Sequence, residues 1–437
     1  MLPAPRVIVV DDNPDHLRGL ADGLNRYGAA CLQVHFNGDV GDLKPCPHVR
    51  VIFADLHLNE SGAGAEPERH FAVIGGLIEE SIQPAGPYVL VLWTRFADQA
   101  AALAAFLAAR LSGVPKPFAV VALDKMVHLS PEGTVRDPQA LVTAIANIVA
   151  SQPQIGALLS WEERVLGAAA ETVGAIIRLA QPGDSDLTGR LGRLLFHLAE
   201  GAVGEGHVEA DRFHAVNEAL LPILADRVAA LRNIEGDDPW AGAFSEDDTR
   251  SALGLDDAAR LNKFSHLAEC APDAGDGRGV VIELLPQYAG GNFAGIFDIQ
   301  EADAAAKEFG CKDFAAGDER FSWRLVQVQA SCDYAQRQKG PLPYLLALEM
   351  PSASSANNTP PQALWRSPPI RMSDSNHVLR VNARFALSLT RAAAKASKAV
   401  YRLREPLLNE LVYHGHVYGA RPGTISFYER KAKPPPK

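Results

Sequence analysis

The sequence Val7-Ile8-Val9-Val10-Asp11-Asp12 places two carboxylates directly after a run of four β-branched residues. Three further apolar runs have a polar side chain at or just beyond their ends: residues 51–54 before Asp55, residues 89–93 before Thr94, and residues 119–123 before Lys125. Runs without polar alternation are typical of buried strands in a parallel sheet. Ligands bind beyond the carboxyl ends of such strands. We therefore expect these side chains to meet in one crevice.

Phosphoryl transfer is the chemistry that needs these residue types together. A carboxylate can act as the nucleophile that accepts a phosphoryl group. Mg²⁺ is usually held by one or two carboxylates, together with water and phosphate oxygens. A metal ion and an ammonium group stabilise the charge on the transferred group. A hydroxyl group that follows the new phosphate oxygens can then move a loop.

With these residues in this order, residues 6–152 resemble the receiver domain of bacterial two-component response regulators. The resemblance implies a flavodoxin-like α/β fold with a parallel five-stranded sheet. It also implies a Mg²⁺ site formed by Asp11, Asp12 and Asp55, with Asp55 as the phosphate acceptor. Thr94 would be the switch hydroxyl, and Lys125 would pair with the acceptor or its phosphate. The implied partner is a histidine kinase or another phosphodonor.

Some features depart from that family. Residues 36–48 contain two glycines and two prolines, which leaves little room for a full second helix, and Met126 stands where the family usually has proline. A degenerate receiver that is not phosphorylated is therefore one alternative. Another is an α/β domain whose polar residues only cap helices, since Asp and Asn are good N-caps and Pro14 suits a first turn. Capping accounts for one of the four strand ends.

The composition is that of a protein with several domains. The chain has 437 residues, of which 47% are hydrophobic and 22% charged, and this length exceeds what one core usually supports. Its apolar runs are shorter than the roughly 18–20 residues of a membrane span, and the N-terminus lacks the apolar region of a signal peptide. Five scattered cysteines without a C-x-x-C pair favour reduced thiols. We predict a cytoplasmic protein with no membrane association.

The pattern along the chain predicts a receiver-like domain over residues 1–152, an all-α domain over 153–275, a β-rich domain over 276–430 and a disordered tail over 431–437. Apolar residues recur at helical spacing after residue 153. The β-rich domain has strand-like runs at 279–285, 293–299, 321–331, 344–350 and 377–389, and a late helix near 405–414. Acids and bases number 16 and 11 in residues 1–137, 22 and 11 in 138–280, and 14 and 20 in 281–437, so only the last part is basic.

Residues 375–404 contain seven bases and no acid. If residues 390–403 are helical, four of these bases share one face, namely Arg391, Lys395, Lys398 and Arg402. That face would either dock on the acidic helical domain, which we favour, or contact the phosphates of a nucleic acid. The helical domain also offers a surface for a protein partner.

Cys332 follows the strand-like run 321–331 and precedes Asp333. It would be a nucleophile if His377, His414 or His416 lay close enough to act as its base. Because no nucleophile motif surrounds it, we favour a buried thiol with Asp333 opening a turn.

The sequence as a whole predicts a phosphorylation-responsive signalling protein of a bacterial phosphorelay rather than a dedicated enzyme. The segments Cys332-Asp333 and Leu403-Arg404-Glu405-Pro406 are similar to those of receiver-bearing proteins from bacterial conflict (antiphage) loci, which implies a defence or stress role. No helix-turn-helix, Walker, histidine-kinase or cyclase pattern follows the receiver-like part. The alternatives are a nucleic-acid-binding effector switched by the receiver, and a hydrolase that depends on Cys332.

Overall fold

The computed structural model describes residues 5–38, 45–58, 67–82, 88–114, 116–130, 132–180, 186–231, 238, 240–244, 247, 250–354 and 361–420. The chain divides into two compact units. Unit 1 comprises Met1–Leu166 and Arg232–Thr249, and unit 2 comprises Gly167–Leu231 and Arg250–Lys437. The three-domain division inferred from the sequence stays a prediction, and the tail 431–437 lies outside the described residues.

Unit 1 is built on a parallel sheet whose described strands are β1 (Val7–Asp11), β2 (Cys31–His35), β3 (Val51–Ala54), β4 (Val89–Thr94) and β5 (Ala119–Asp124). Their order is β2-β1-β3-β4-β5, with every neighbouring pair parallel. This is one of the common orders of doubly wound sheets, in which ligands bind where the strand order reverses, here beside β1 and β3. The four apolar runs are confirmed as parallel strands.

Helices cover both faces of this sheet, which is why its strands need no polar alternation. The described helices are α1 (Pro14–Tyr27), α2 (Pro67–Ser81), α3 (Ala100–Arg110), α4 (Lys125–His128), α5 (Pro138–Ala150) and the first part of α6 (Pro153–Leu179), with a 3₁₀ turn at Ala97–Gln99. Side chains of α2 and α3 pack on one face, against Ile8, Ile52 and Leu90. Side chains of α1 and α5 pack on the other, against Val9 and Phe53. The described residues between β2 and β3, 36–38 and 45–50, form no helix, and the rest of that stretch lies outside the described residues.

The helical part of unit 2 contains α7 (Leu187–Val203) and α8 (Arg212–Ala230), with a 3₁₀ turn at Val208–Ala210 between them. Small buried side chains join α7 to α8, among them Ala199, Val203 and Ala215. Among the described residues, no single helix is long and apolar enough to cross a membrane. The bent pair Pro138–Ile148 and Pro153–Leu179 passes that test jointly, by length and composition only.

The rest of unit 2 is an antiparallel sheet. Its described strands are β6 (Leu267–Ala268), β7 (Val280–Glu283), β8 (Ser322–Gln327), β9 (Leu342–Pro351), β10 (Leu364–Arg366), β11 (Ile370–Met372), β12 (Ser375–Leu389) and β13 (Ala399–Leu403). The order is β10-β12-β9-β8-β7-β13-β6, with β11 also paired to β12. The predicted β-rich character of the C-terminal part is therefore confirmed.

Further helices flank this sheet: α9 (Leu255–His266), α10 (Arg391–Ala396) and α11 (Glu405–Gly419). Shorter turns lie at Pro286–Tyr288, Gly290–Asn292, Phe293–Phe297, Glu301–Asp303, Ala304–Glu308 and Ser331–Ala335. One face of the sheet carries an aromatic core that includes Phe293, Phe309 and Trp323, and leucines of α11 pack in the core on the other face. The sheet of unit 2 thus has an apolar core on each of its two faces.

One prediction in this region is wrong, and one condition set in the sequence analysis is not met. The run 293–299 is helical at Phe293–Phe297, because a short apolar run can be buried equally well by a helical turn. Residues 390–403 do not form one helix, since α10 ends at Ala396 and β13 begins at Ala399. Lys398 and Arg402 therefore do not share a helix face with Arg391 and Lys395.

Candidate functional site

The carboxyl edge of the parallel sheet carries all five side chains that the sequence singled out. Asp11 ends β1 and Asp12 follows it, Asp55 follows β3, Thr94 ends β4, and Lys125 begins α4 immediately after β5. Each position follows from its strand ending at this edge of the sheet. The capping alternative also has a basis, because the Asn13 side chain accepts hydrogen bonds from the backbone N–H groups of Asp15 and His16. Capping does not account for the position of the other side chains.

Lys125 is buried between two carboxylates. Its Nζ donates to Asp55 Oδ2 at 2.5 Å and lies 3.7 Å from Asp11 Oδ2. All three side chains are almost fully buried, so little water screens these charges. Removing one member of a buried ion pair leaves an uncompensated charge, which is strongly destabilising. The sequence predicted that Lys125 would lie beside Asp55, and the structure has this geometry.

Asp11 has the most perturbed ionisation in the site. Burial raises the pKa of its carboxyl group from 3.8 to about 7, with Lys125 acting in the opposite direction and Asp55 adding to the rise. Its Oδ1 accepts a hydrogen bond from the backbone N–H of Asn13 at 2.8 Å. Its Oδ2 is enclosed and has no hydrogen-bond donor among the described residues. A cation placed against Oδ2 would offset both the burial and the repulsion from Asp55.

The three carboxylates can hold a metal ion. One oxygen each from Asp11, Asp12 and Asp55 lies within 4.8 Å of the others. Carboxylate ligands suit hard divalent cations. The enclosed Oδ2 of Asp11, which accepts no hydrogen bond among the described residues, supports this fit, because a metal ion would supply a close contact there.

Thr94 is buried at the end of β4, next to both β3 and β5 in the sheet. Its Oγ1 accepts a hydrogen bond from the backbone N–H of Phe96 at 3.3 Å. Among the described contacts, none joins Thr94 directly to Asp55 or Lys125. The Thr94 hydroxyl therefore lies at the start of the loop after β4 and is hydrogen-bonded to the backbone of that loop.

Histidines that the sequence did not single out also adjoin this site. His16 Nδ1 lies 3.9 Å from Asp11 Oδ1, and burial is the main cause that lowers the pKa of His16. His35 Nε2 is hydrogen-bonded to the backbone oxygen of Asp12 at 2.9 Å. His35 ends β2, so the same strand-end rule would have found it. The run Cys-Leu-Gln-Val-His is interrupted by a polar residue and gives a weaker strand signal than the other four.

The four bases of the C-terminal part do not lie on one helix face. Arg391 lies 3.0 Å and Lys395 3.9 Å from Asp276 Oδ2, and Lys398 lies 2.8 Å from Glu283 Oε1. Arg402 lies on β13 rather than on α10. The ion pairs of the first three therefore run to acids of the β-rich segment rather than to residues 153–275, where we had placed the docking partner.

Cys332 lies in the short helix Ser331–Ala335 and is exposed, so the expectation of a buried thiol is wrong. Its Sγ is 3.5 Å from Asp333 Oδ1. His377 is bonded instead to Ser375, with 2.9 Å between Nε2 and Oγ. Among the described residues, no hydrogen bond joins Cys332 to a histidine, so the alternative in which Cys332 is a nucleophile has no histidine base in place.

No protein-family model matches this chain, and neither the curated proteins nor the solved structures compared with it gave a match.

Proposed function

We propose that this chain is a phosphorylation-responsive signalling protein whose N-terminal part is a flavodoxin-like receiver with Asp55 as the phosphoryl acceptor. The observation that carries the proposal is the buried pair of Asp55 and Lys125, beside Asp11 and Asp12 at the carboxyl edge of the sheet. A carboxylate nucleophile, a cation and carboxylates that can hold a metal ion are the groups that phosphoryl transfer requires.

Mg²⁺ is the cation we propose for the carboxylate cluster, held by Asp11, Asp12 and Asp55. When bound, it would neutralise negative charge on the phosphoryl oxygens. The protein's own part is to keep three like charges close together in a buried place, and Lys125 is the group that offsets their repulsion in the metal-free chain.

Asp55 Oδ1 is the proposed attacking atom. Oδ2 is held by Lys125, whereas Oδ1 has no hydrogen bond among the described residues. Oδ1 would form a bond to the phosphorus atom of a phosphohistidine or a small acyl phosphate. The bond from phosphorus to the donor nitrogen or oxygen breaks, and the leaving group keeps the electron pair. Lys125 would keep its contact with Oδ2 of the phosphorylated Asp55 and stabilise the negative charge there.

Thr94 is the proposed reporter of this reaction. A phosphate on Asp55 would offer new acceptors to the Thr94 hydroxyl, which already accepts a bond from Phe96 N–H in the loop after β4. A move of Thr94 toward those oxygens would disturb that bond and hence the loop. A histidine kinase or small phosphodonor would be the partner, and the resemblance to conflict-locus proteins favours a defence or stress pathway.

The experiment that tests this function is intact-mass measurement after incubation with acetyl phosphate and Mg²⁺. We expect one phosphate adduct on the native chain and none on Asp55→Asn. Asp98→Asn, an exposed acid in the turn after β4, should keep the adduct. An adduct that persists in Asp55→Asn would overturn the assignment of the acceptor, and a native chain without any adduct would support the degenerate alternative.

A further inference from the structure

Two arginines stand directly opposite each other at one edge of the antiparallel sheet in unit 2. Arg366 on β10 is the cross-strand partner of Arg380 on β12. Side chains of directly opposite residues project from the same face, and like charges in this arrangement repel. An arrangement that destabilises the sheet calls for a compensating interaction.

Arg380 is only 4% exposed. Its Nη1 donates to the backbone oxygen of Phe309 at 2.7 Å, while its Nε is enclosed and has no acceptor. Burial is the main cause that lowers the pKa of Arg380, and the charge of Arg366 is the next. A buried guanidinium that relies on one carbonyl group is poorly compensated.

No carboxylate among the described residues forms an ion pair with Arg366 or Arg380. The segment 355–360, which precedes β10 and lies outside the described residues, reads Ser-Ala-Asn-Asn-Thr-Pro and has no acid to offer. By contrast Arg384, farther along β12, lies 2.8 Å from Glu308 Oε1. The described residues thus supply a counter-charge for Arg384 but not for Arg380 and Arg366.

The surroundings hold Arg380 in a fixed place. Phe309 follows the π-helical turn Ala304–Glu308, and its N–H closes that turn on the oxygen of Ala304 at 2.9 Å. Asn382, on the same strand as Arg380, donates to the backbone oxygen of Glu308 at 2.9 Å. The carbonyl group that anchors Arg380 is therefore itself positioned, which is how a binding group is preorganised. Single π turns of this kind occur frequently at functional sites.

We propose that Arg366 and Arg380 together bind the phosphate dianion of a small phosphomonoester. Two guanidinium groups match the two negative charges, and their planar N–H forks suit phosphate oxygens. Arg366 is exposed and leaves the site open to solvent, while Arg380 supplies the buried charge. This site is independent of the Asp55 chemistry proposed above.

A nucleic-acid backbone fits less well. A bound strand requires several cations that follow successive phosphates. The neighbouring bases of the same stretch are already engaged, since Arg384 pairs with Glu308, Arg391 with Asp276 and Lys398 with Glu283. Arg366 and Arg380 can therefore bind one phosphate group, but they do not form a row of cations that could follow the backbone of a nucleic acid.

Calorimetric titration of the full chain with inorganic phosphate at pH 8, in the presence of EDTA, tests the proposal. We expect saturable binding that is weakened by roughly 10- to 100-fold in Arg366→Gln, because charge-assisted hydrogen bonds are lost. Arg380→Lys, which keeps the charge but not the fork, should weaken it as well. Arg384→Gln is the matched control on the same strand and should bind phosphate like the native chain.

The absence of saturable binding, or equal affinity in the native chain and Arg366→Gln, would overturn the proposal. So would a short RNA without a terminal phosphate that binds with the same dependence on Arg366, because the ligand would then be a phosphodiester. Asp55→Asn should bind phosphate normally. If phosphate binding were lost only in Asp55→Asn, the phosphate would bind at the N-terminal site, which would contradict the assignment to Arg366 and Arg380.

Discussion

Asp11 makes the stability of the metal-free protein depend on pH. Below pH 3.8 its carboxyl group is protonated in both the folded and the unfolded chain and does not affect the balance between them. Between pH 3.8 and about 7 the unfolded chain releases the proton while the buried group keeps it, because burial raises the folded-state pKa. The fold therefore loses stability over this window, by about 1.4 kcal/mol per pH unit at most, and the full loss is present above pH 7.

We expect Asp11→Asn to remove this dependence. In EDTA the variant should be more stable than the native chain at pH 8, by a few kcal/mol at most, and the difference should shrink toward pH 4. Urea unfolding at several pH values measures it, with Asp98→Asn as an exposed control that should follow the native chain. A pH slope between 4 and 7 that is unchanged in Asp11→Asn would contradict the role given to burial.

At the scale of the element, two glycines in different helices offer a matched test of packing. A Cβ added at Gly19 in α1 would lie 2.8 Å from the backbone oxygen of Gly133 and 3.0 Å from Leu129 Cδ2, whereas one at Gly76 in α2 meets nothing within 4 Å. Gly19→Ala should therefore destabilise unit 1 by about 1–3 kcal/mol through overpacking. Gly76→Ala should stabilise it by up to about 1 kcal/mol, because alanine favours the helix.

Chemical unfolding of both glycine variants decides this prediction. If Gly19→Ala were as stable as Gly76→Ala, α1 would not pack against Leu129 and Gly133 as closely as the distances indicate. The comparison also bears on the candidate site, because α1 begins at Pro14, two residues after Asp12, and its position helps to fix that end of the cluster.

How much of each element could be predicted depended on its surroundings. The strands β1, β3, β4 and β5 are buried on both faces, so their sequences are continuous apolar runs, and all five site side chains lie at or just beyond their carboxyl ends. In unit 2 the same signal fails at Phe293–Phe297, where a helical turn buries the apolar side chains. The boundary between α10 and β13 falls inside a stretch of alanines, lysines and serine that has no periodicity strong enough to mark it.

Contacts between distant residues were beyond sequence reasoning. The spacing of bases in residues 375–404 showed an unusual run of charge but not which acids it would meet, because Asp276, Glu283 and Glu308 lie far away in the sequence. For the same reason Arg380 was recognised only as one of seven bases. Its burial and its opposition to Arg366 depend on the register of β10 with β12, which no local pattern specifies.

At the scale of the whole molecule, the division into two compact units has a thermodynamic consequence. A chain of this kind need not unfold in one step, because each unit has a core of its own. The carboxylate cluster lies in unit 1, so a metal ion that binds there stabilises that unit directly. At a free ion concentration about 100 times its Kd, the stabilisation would be about 2.7 kcal/mol.

We therefore expect scanning calorimetry of the full chain to show two transitions, of which Mg²⁺ raises only one, by several degrees. Asp12→Ala should abolish that shift, because it removes a ligand from the cluster of three carboxylates, whereas Asp98→Asn should retain it. An equal shift in the native chain and in Asp12→Ala would show that Mg²⁺ binds elsewhere. Phosphate in EDTA should raise the other transition instead, and should fail to do so in Arg366→Gln. The two ligands would then report separately on the carboxylate edge of unit 1 and the arginine pair of unit 2.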